Sequence, residues 1–180
     1  MKKSDKIDLL RNSIGTYNLC RCFFDYNPDY WYYYVLDVSD KLFLGIEEDD
    51  FLLDGFEIRK ISNLKKVEIK DDICVKINDE NKILANVDAP KIDISSWKAV
   101  FECLKALDII IIVENEITDR GEDFFLIGRI LDVKASHVAF SSFDADGIWD
   151  NDIQIPYSKI TSVTFNSRYT KNWQEYFSKH

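Results

Sequence analysis

Residues 146–165 read DGIWDNDIQIPYSKITSVTF, and residues 54–69 read DGFEIRKISNLKKVEI. Each stretch opens with Asp-Gly, continues through alternating polar and apolar residues to a serine, and ends on apolar residues that are three positions apart. Three positions match at a constant displacement of 96 residues, with Ser62, Leu64 and Val67 corresponding to Ser158, Ile160 and Val163. A pattern repeated at a fixed distance indicates that one structural unit occurs twice in the chain.

The order of the predicted elements agrees with such a duplication. A short helix over residues 4–12 is followed by five strand-like segments, rich in β-branched and aromatic residues, that end near residue 70. The second half repeats this order, with an amphipathic helix behind the cap candidates Asp93, Ser95 and Ser96 and five further strands. A further match, displaced by 95 residues, places Val35-Leu36-Asp37-Val38 on Ile130-Leu131-Asp132-Val133.

The repeat predicts three segments: a helix-plus-five-strand barrel over 1–70, a connection over 71–93, and a second such barrel with a C-terminal helix over 94–180. The connection carries the turn-like run Asn-Asp-Glu-Asn at 78–81, and we expect it to form a hairpin or short strands. The C-terminal helix is expected to dock on its own barrel through an aromatic face made of Tyr169, Trp173, Tyr176 and Phe177.

A short helix followed by five strands, in about seventy residues, resembles the Sm-like fold, a small SH3-like barrel. The resemblance predicts a mainly β protein with short helices, built as two tandem Sm-like barrels. Gly128 and Ile130 match the glycine and the following apolar residue of the first Sm motif, but Val138 stands where that motif has the asparagine that contacts uridine. Tyr157-Ser158-Lys159-Ile160 occupies the place of the second motif's Arg-Gly pair. The RNA-binding residues therefore do not carry over.

The charge balance bears on the kind of partner. Asp and Glu outnumber Lys and Arg by 32 to 23, which gives a formal net charge of −9. Nucleic-acid binders usually present a basic face, because neutralising phosphates supplies most of the non-specific affinity. The balance disfavours nucleic acids and anionic membranes as partners and favours a basic protein. The N-terminus lacks the apolar core of a secretory signal, so we expect a cytoplasmic protein.

Catalytic and metal-binding motifs are missing from the sequence. Cys20 and Cys22 form a Cys-x-Cys pair with no second pair, which indicates reduced, buried cysteines rather than zinc ligands. Asp144 and Asp146 alternate before a glycine, but Ile155 stands where a calcium loop needs its glutamate. His137 lies in a predicted strand without a nearby nucleophile. We therefore expect no catalytic residue, no metal and no cofactor.

Two acidic loops are the best candidates for a functional surface. In the predicted barrels the two β3–β4 connections fall at equivalent places and both carry an Asp-Gly turn. The candidate partner-binding residues are Glu47, Glu48, Asp49, Asp50 and Asp54 in the first loop and Asp144, Asp146, Asp150 and Asp152 in the second. Acidic clusters speed the encounter with a basic protein and orient it. Solvated turns that only keep the protein soluble are the alternative interpretation.

These observations leave three functional hypotheses. The first is a non-enzymatic protein-interaction module, for which an immunity-type or antitoxin-type inhibitor is one concrete form. The second is a divergent Sm-like nucleic-acid binder, and the third is an enzyme with an unfamiliar site. The aromatic run Tyr30-Trp31-Tyr32-Tyr33-Tyr34 bears on the first two, because both faces of that strand are aromatic. One face is expected to fill the core, and the other to cover the second barrel, a partner or stacked bases.

Overall fold

A computed structural model describes residues 1–118 and 121–180 of the chain. The chain divides into two compact units, Met1–Lys91 and Ile92–His180. Both units are built mainly from antiparallel strands with short helices, as the sequence predicted. The finer division at residues 70 and 93 stays a prediction.

The first unit contains one five-stranded sheet. Its elements are α1 (Lys3–Ser13), β1 (Leu19–Phe24), β2 (Tyr30–Val38), β3 (Leu42–Asp49), β4 (Leu52–Lys60), a 3₁₀ turn (Ile61–Asn63), β5 (Leu64–Lys70) and α2 (Ile73–Glu80). The strands lie in the order β5-β1-β2-β3-β4. One face of the sheet packs with α1 around a core that includes Leu10, Cys22, Tyr33, Phe43 and Leu64.

The prediction of a hairpin or strands in the connection is wrong, because α2 occupies this part of the chain. Asp72 caps the helix, its Oδ1 accepting hydrogen bonds from the backbone N–H groups of Cys74 at 2.9 Å and Val75 at 3.3 Å. An aspartate that satisfies two N–H groups of the first turn is a strong helix-start signal, and here it outweighs the turn-like run at 78–81.

The second unit repeats the strand order. Within its described residues the elements are α3 (Trp97–Leu107), β6 (Ile111–Asn115), β7 (Phe124–Val133), β8 (His137–Ser142), β9 (Ile153–Pro156), β10 (Ser162–Phe165) and α4 (Arg168–Lys179). The order β10-β6-β7-β8-β9 is that of β5-β1-β2-β3-β4. Ser96 caps α3 by accepting a hydrogen bond from the Ala99 N–H at 3.2 Å, as one of the three cap candidates predicted.

The repeated Leu-Asp-Val segment forms a β-bulge in each unit. The register of β2 on β3 shifts between Val35 and Asp37, and that of β7 on β8 shifts between Ile130 and Asp132, both 95 residues later. The aspartate accepts a hydrogen bond from the next backbone N–H in both units, at 2.7 Å for Asp37 and 2.9 Å for Asp132. The bulge gives the repeated aspartate a structural reason, since bulges change the strand twist at a fixed place.

The register of the first strand on the last strand is also equivalent. Cys22 lies opposite Val67 in the first unit, and Val113 lies opposite Val163 in the second. Closed barrels are nevertheless not confirmed, because the described strand pairs leave each sheet open between its fourth and fifth strands. Closure depends on strand tilt and stagger, which alternating residues do not specify.

Candidate functional site

The first acidic loop is a two-residue hairpin turn. Asp49 pairs with Leu52, and the turn residues Asp50 and Phe51 have φ angles of 45° and 69°. Two positive φ angles define a type I′ turn, which normally uses Asn-Gly. A left-handed phenylalanine costs roughly 1 kcal/mol or more, so another contact must hold the turn. The turn leaves the side chains of Phe51 and Leu52 42% and 53% exposed beside two exposed carboxylates.

Glu48 is the residue that fastens this turn. Its Oε1 accepts hydrogen bonds from the Phe51 N–H at 2.9 Å and from Nδ2 of Asn78 at 3.2 Å. Asn78 also donates a hydrogen bond to the Tyr34 hydroxyl at 2.9 Å. Helix α2 is therefore joined to both Glu48 and Tyr34 through this one side chain. Glu48, one of the predicted partner-binding residues, is therefore buried and has a structural contact.

Glu47 and Asp54 belong to a partly buried cluster of carboxylates rather than to the turn. Burial, and then the charge of Glu57, raise the pKa of Glu47 to about 7, while the Arg59 guanidinium acts in the opposite direction. Asp49 and Asp54 add smaller contributions in the same direction as Glu57. A carboxyl group with a pKa near neutrality changes its charge near physiological pH.

The two Asp-Gly pairs do not lie at equivalent places, and the prediction that they do is wrong. Asp54 and Gly55 lie inside β4, where the register of β3 on β4 shifts and Gly55 has a φ of 76°. Asp146 and Gly147 lie in the loop between β8 and β9, and Gly147 has a φ of 77°. Both glycines meet a left-handed requirement, but one belongs to a bulge and the other to a turn.

The second acidic loop also uses a carboxylate to hold its own backbone. Oδ1 of Asp144 accepts hydrogen bonds from the N–H groups of Asp146 at 3.0 Å and Ile148 at 2.9 Å. Asp150 lies 3.5 Å from the Ser142 hydroxyl, which donates to it. The carboxylates of Asp146 and Asp152 are solvent-exposed, and so are two apolar side chains of the loop, Ile148 at 63% and Trp149 at 39%.

Helix α4 packs against this loop through its aromatic side chains. Phe143 contacts Trp173 and Phe177 at ring-centroid distances of 4.7 and 4.8 Å, and Trp149 lies 5.0 Å from Phe177. A side chain at Gly147 would lie 3.3 Å from the Trp173 ring. The predicted C-terminal helix is thus present and packs on its own unit through part of its aromatic face, while Tyr169 and Tyr176 remain 48% and 46% exposed.

A cationic and aromatic surface covers the sheet face opposite α1 in the first unit. The Arg21 guanidinium lies 4.9 Å from the ring centroid of Tyr30 and 5.4 Å from that of Tyr32. Lys70 lies 4.2 Å from the Tyr32 ring, and Lys66 lies 5.7 Å from the ring of Phe23. Alternation along the strands places these residues together, and the predicted split of the aromatic run into two faces is the signal that points to them.

The other face of this sheet, on the side of α1, buries a charged network that the sequence analysis missed. Arg59 donates hydrogen bonds to the hydroxyls of Tyr33 and Tyr26, both at 2.9 Å, and forms an ion pair with Glu57 at 2.9 Å. Its guanidinium also lies 4.5 Å from the ring centroid of Phe24. Arg59 is 2% exposed and Glu57 is 5% exposed. A Glu-x-Arg pair on alternate positions of a strand was the available signal.

The remaining candidates for chemistry show no catalytic arrangement in the described residues. Cys20 and Cys22 are buried free thiols, and burial raises the pKa of Cys20 to about 11, which disfavours a reactive thiolate. The ring of His137 lies 3.3 Å from the neighbouring Ser136 hydroxyl. Within residues 1–118 and 121–180, no group of three His, Cys, Asp or Glu side chains is placed to hold a metal ion. None of the helices described is long and apolar enough to cross a membrane.

Comparison with known proteins does not identify a relative of this chain. No family model matches the chain, no curated protein matches it, and no solved structure matches it. The fold and the two loops therefore define a mainly β protein with short helices, and its function has to be inferred from the exposed side chains.

Proposed function

We propose that this chain is a non-enzymatic protein-interaction module that binds a basic partner through its two acidic loops. One observation supports the proposal most directly: large apolar side chains are exposed beside exposed carboxylates in both loops. In the first loop these side chains are Phe51 and Leu52, and in the second they are Ile148 and Trp149. Solvated turns that serve only solubility have no need of exposed phenylalanine or tryptophan.

The two kinds of side chain would contribute differently to binding. Aromatic residues that enter a pocket of the partner supply most of the affinity, whereas charges at the rim speed the encounter and fix its orientation. The partner expected from this chemistry has apolar pockets surrounded by lysine and arginine. An inhibitor of a basic enzyme, of the immunity or antitoxin type, is one form that such a module takes.

Loss of the second loop's charges should weaken capture of the partner. Wild-type protein immobilised as bait should retain a basic protein from a lysate of the source organism, and the triple variant Asp146→Asn, Asp150→Asn, Asp152→Asn should retain much less. Once the partner is purified, the triple variant should reduce the association rate about tenfold or more at low salt, with a smaller effect at high salt. The change is measured by surface plasmon resonance at two ionic strengths.

A matched control separates the loop from the total charge. The variant Asp25→Asn, Asp29→Asn, Asp88→Asn removes three exposed carboxylates outside both loops and should bind nearly as wild type does. The variant Ile148→Ser should instead accelerate dissociation, because it removes an exposed apolar side chain rather than a charge and leaves the Trp149 ring against Phe177. Equal binding by the wild type and the loop triple variant would show that the interface lies elsewhere.

The cationic and aromatic surface supports nucleic-acid binding as a second candidate function. Exposed aromatic rings beside cations are what single-stranded nucleic acids stack on. Here, however, Arg21 lies 4.0 Å from Glu68, Lys66 pairs with the same carboxylate, and Lys70 lies 3.5 Å from Asp72. The cations are thus partly compensated on a chain of net charge −9.

Single-stranded oligonucleotides should therefore bind weakly. We expect oligo-U and oligo-dT to show dissociation constants in the non-specific range, about 10⁻⁴ to 10⁻⁶ M at physiological salt. Fluorescence anisotropy measures this, and the variant Arg21→Gln, Lys66→Gln provides the control for the surface. Submicromolar binding that both the variant and added salt abolish would favour the nucleic-acid function instead.

A further inference from the structure

A small pocket lies beside the first hairpin. Its volume is about 80 Å³, and it is lined by Tyr32, Glu48, Asp49, Asp50, Phe51, Lys70 and Cys74. Pockets for nucleotides and drug-sized ligands usually occupy about 300–1,000 Å³. A single water molecule needs only about 10–15 Å³. The size therefore suits the head group of one side chain rather than a cofactor.

Glu48 gives this pocket an uncompensated negative charge. The residue is 5% exposed, and both of its hydrogen bonds, from Phe51 and Asn78, go to Oε1. Its second oxygen, Oε2, accepts no hydrogen bond, and no cationic side chain in residues 1–118 or 121–180 forms an ion pair with Glu48. Oε2 is not sealed from solvent, so it is the oxygen of this carboxylate that a cation entering the pocket can reach.

Lys70 lines the same pocket but is engaged elsewhere. Its ammonium group lies over the Tyr32 ring at 4.2 Å and 3.5 Å from a carboxylate oxygen of Asp72. Asp49 and Asp50 stand exposed at the rim, so three carboxylates and one ammonium group line the pocket. The net charge of the side chains that line the pocket is therefore negative. The Phe51 ring adds an aromatic surface that a cation can contact.

We infer that this pocket binds the guanidinium or ammonium group of one basic side chain of the partner. The inference rests on the proposed function and specifies one of its contacts. Oε2 of Glu48 accepts a charge-assisted hydrogen bond from the bound head group, and the rim carboxylates of Asp49 and Asp50 take its remaining donors. A planar guanidinium can reach two carboxylates at once, whereas an ammonium group acts as a compact charge.

The test is an NMR titration of ¹⁵N-labelled protein with three single-residue probes. N-acetyl-L-arginine amide and N-acetyl-L-lysine amide carry the two cations, and N-acetyl-L-citrulline amide is the neutral analogue of the first. We expect at least one cationic probe to shift the amide signals of Phe51 and Cys74 saturably, with a dissociation constant of about 1 mM. The citrulline probe should leave these signals unchanged. Equal shifts with citrulline, or no saturable shift with either cation, would overturn the inference.

The variant Glu48→Gln tests the role of the buried charge. A glutamine can keep both hydrogen bonds through its amide oxygen while the negative charge is lost. Cation binding should weaken about tenfold, whereas the melting temperature should change little, because both hydrogen bonds to Oε1 are kept and Oε2 is open to solvent. Asp88→Asn, which removes an exposed carboxylate outside the pocket, should change neither property. Unchanged probe affinity in Glu48→Gln would overturn the inference.

The two proposals fail in different experiments. If the probes do not bind at Phe51 and Cys74 while the loop triple variant still loses the partner, the pocket inference is wrong and the proposed function stands. If the cations bind in the pocket but the partner is retained by both the loop triple variant and Glu48→Gln, the proposed function is wrong.

Discussion

Replacing Gly128 with alanine is expected to destabilise the protein by at least about 3 kcal/mol. An added Cβ at this position of β7 would lie 1.9 Å from the backbone oxygen of Ser141 and 2.8 Å from its carbonyl carbon. Both atoms belong to the backbone of the paired strand β8, so relief of the clash requires the strands to separate. Chemical denaturation followed by circular dichroism measures the loss.

Gly45→Ala is the matched control for this prediction. It also lies in a strand, but its added Cβ would meet the Tyr33 side chain at 3.0 Å rather than a backbone atom. The Tyr33 side chain, whose Cβ is the nearest atom, has to give by only a few tenths of an ångström, so we expect a loss of about 1–2 kcal/mol. A Gly128→Ala protein as stable as the Gly45→Ala protein would contradict the close approach of β7 to β8.

The same two glycines show how the units have diverged around a common register. At the displacement of 95 residues Gly128 corresponds to Tyr33, and Gly45 corresponds to Phe140. Each unit therefore places one glycine and one aromatic residue at this diagonal pair of positions, with the two exchanged.

Local signals account for the parts of the fold that the sequence predicted. The Leu-Asp-Val bulges and the Ser96 cap each depend on hydrogen bonds between near neighbours, so a short stretch of sequence contains the information. Asp-Gly was ambiguous because a turn and a bulge both require a left-handed glycine, and only the pairing of β3 with β4 decides between them. The alternation of polar and apolar residues along a strand does not specify whether the sheet closes into a barrel.

The candidate site was predictable in its location but not in its details. The acidic character of both loops is visible in the sequence, yet Glu48 in the first loop and Asp144 and Asp150 in the second accept hydrogen bonds within the protein. Glu48 is buried only because α2 covers it, and α2 was not predicted. Phe51 was not selected because a phenylalanine in a type I′ turn departs from the usual turn residues.

Arg59→Met is expected to cost about 3–5 kcal/mol of unfolding free energy. The substitution keeps an extended side chain but removes the guanidinium, which leaves Glu57 with a buried charge and without this ion pair. It also removes a donor from the hydroxyl of Tyr33. Burial raises the pKa of Tyr33, so its protonated hydroxyl donates to Glu57, and a hydrogen bond from a neutral hydroxyl does not replace the charge of the guanidinium. Urea denaturation at constant pH measures the loss.

A double variant distinguishes the lost ion pair from lost packing. In Glu57→Gln, Arg59→Met no buried charge remains at this pair, and we expect the protein to recover most of the stability lost by the single variant, because replacing a buried pair by neutral groups of similar volume is often close to neutral. Lys98→Met breaks the exposed Lys98–Glu102 pair on α3 and should cost at most about 0.5 kcal/mol. If the double variant loses as much stability as Arg59→Met alone, the large cost arises from lost packing around Phe24 and Tyr33 and not from the charge left on Glu57.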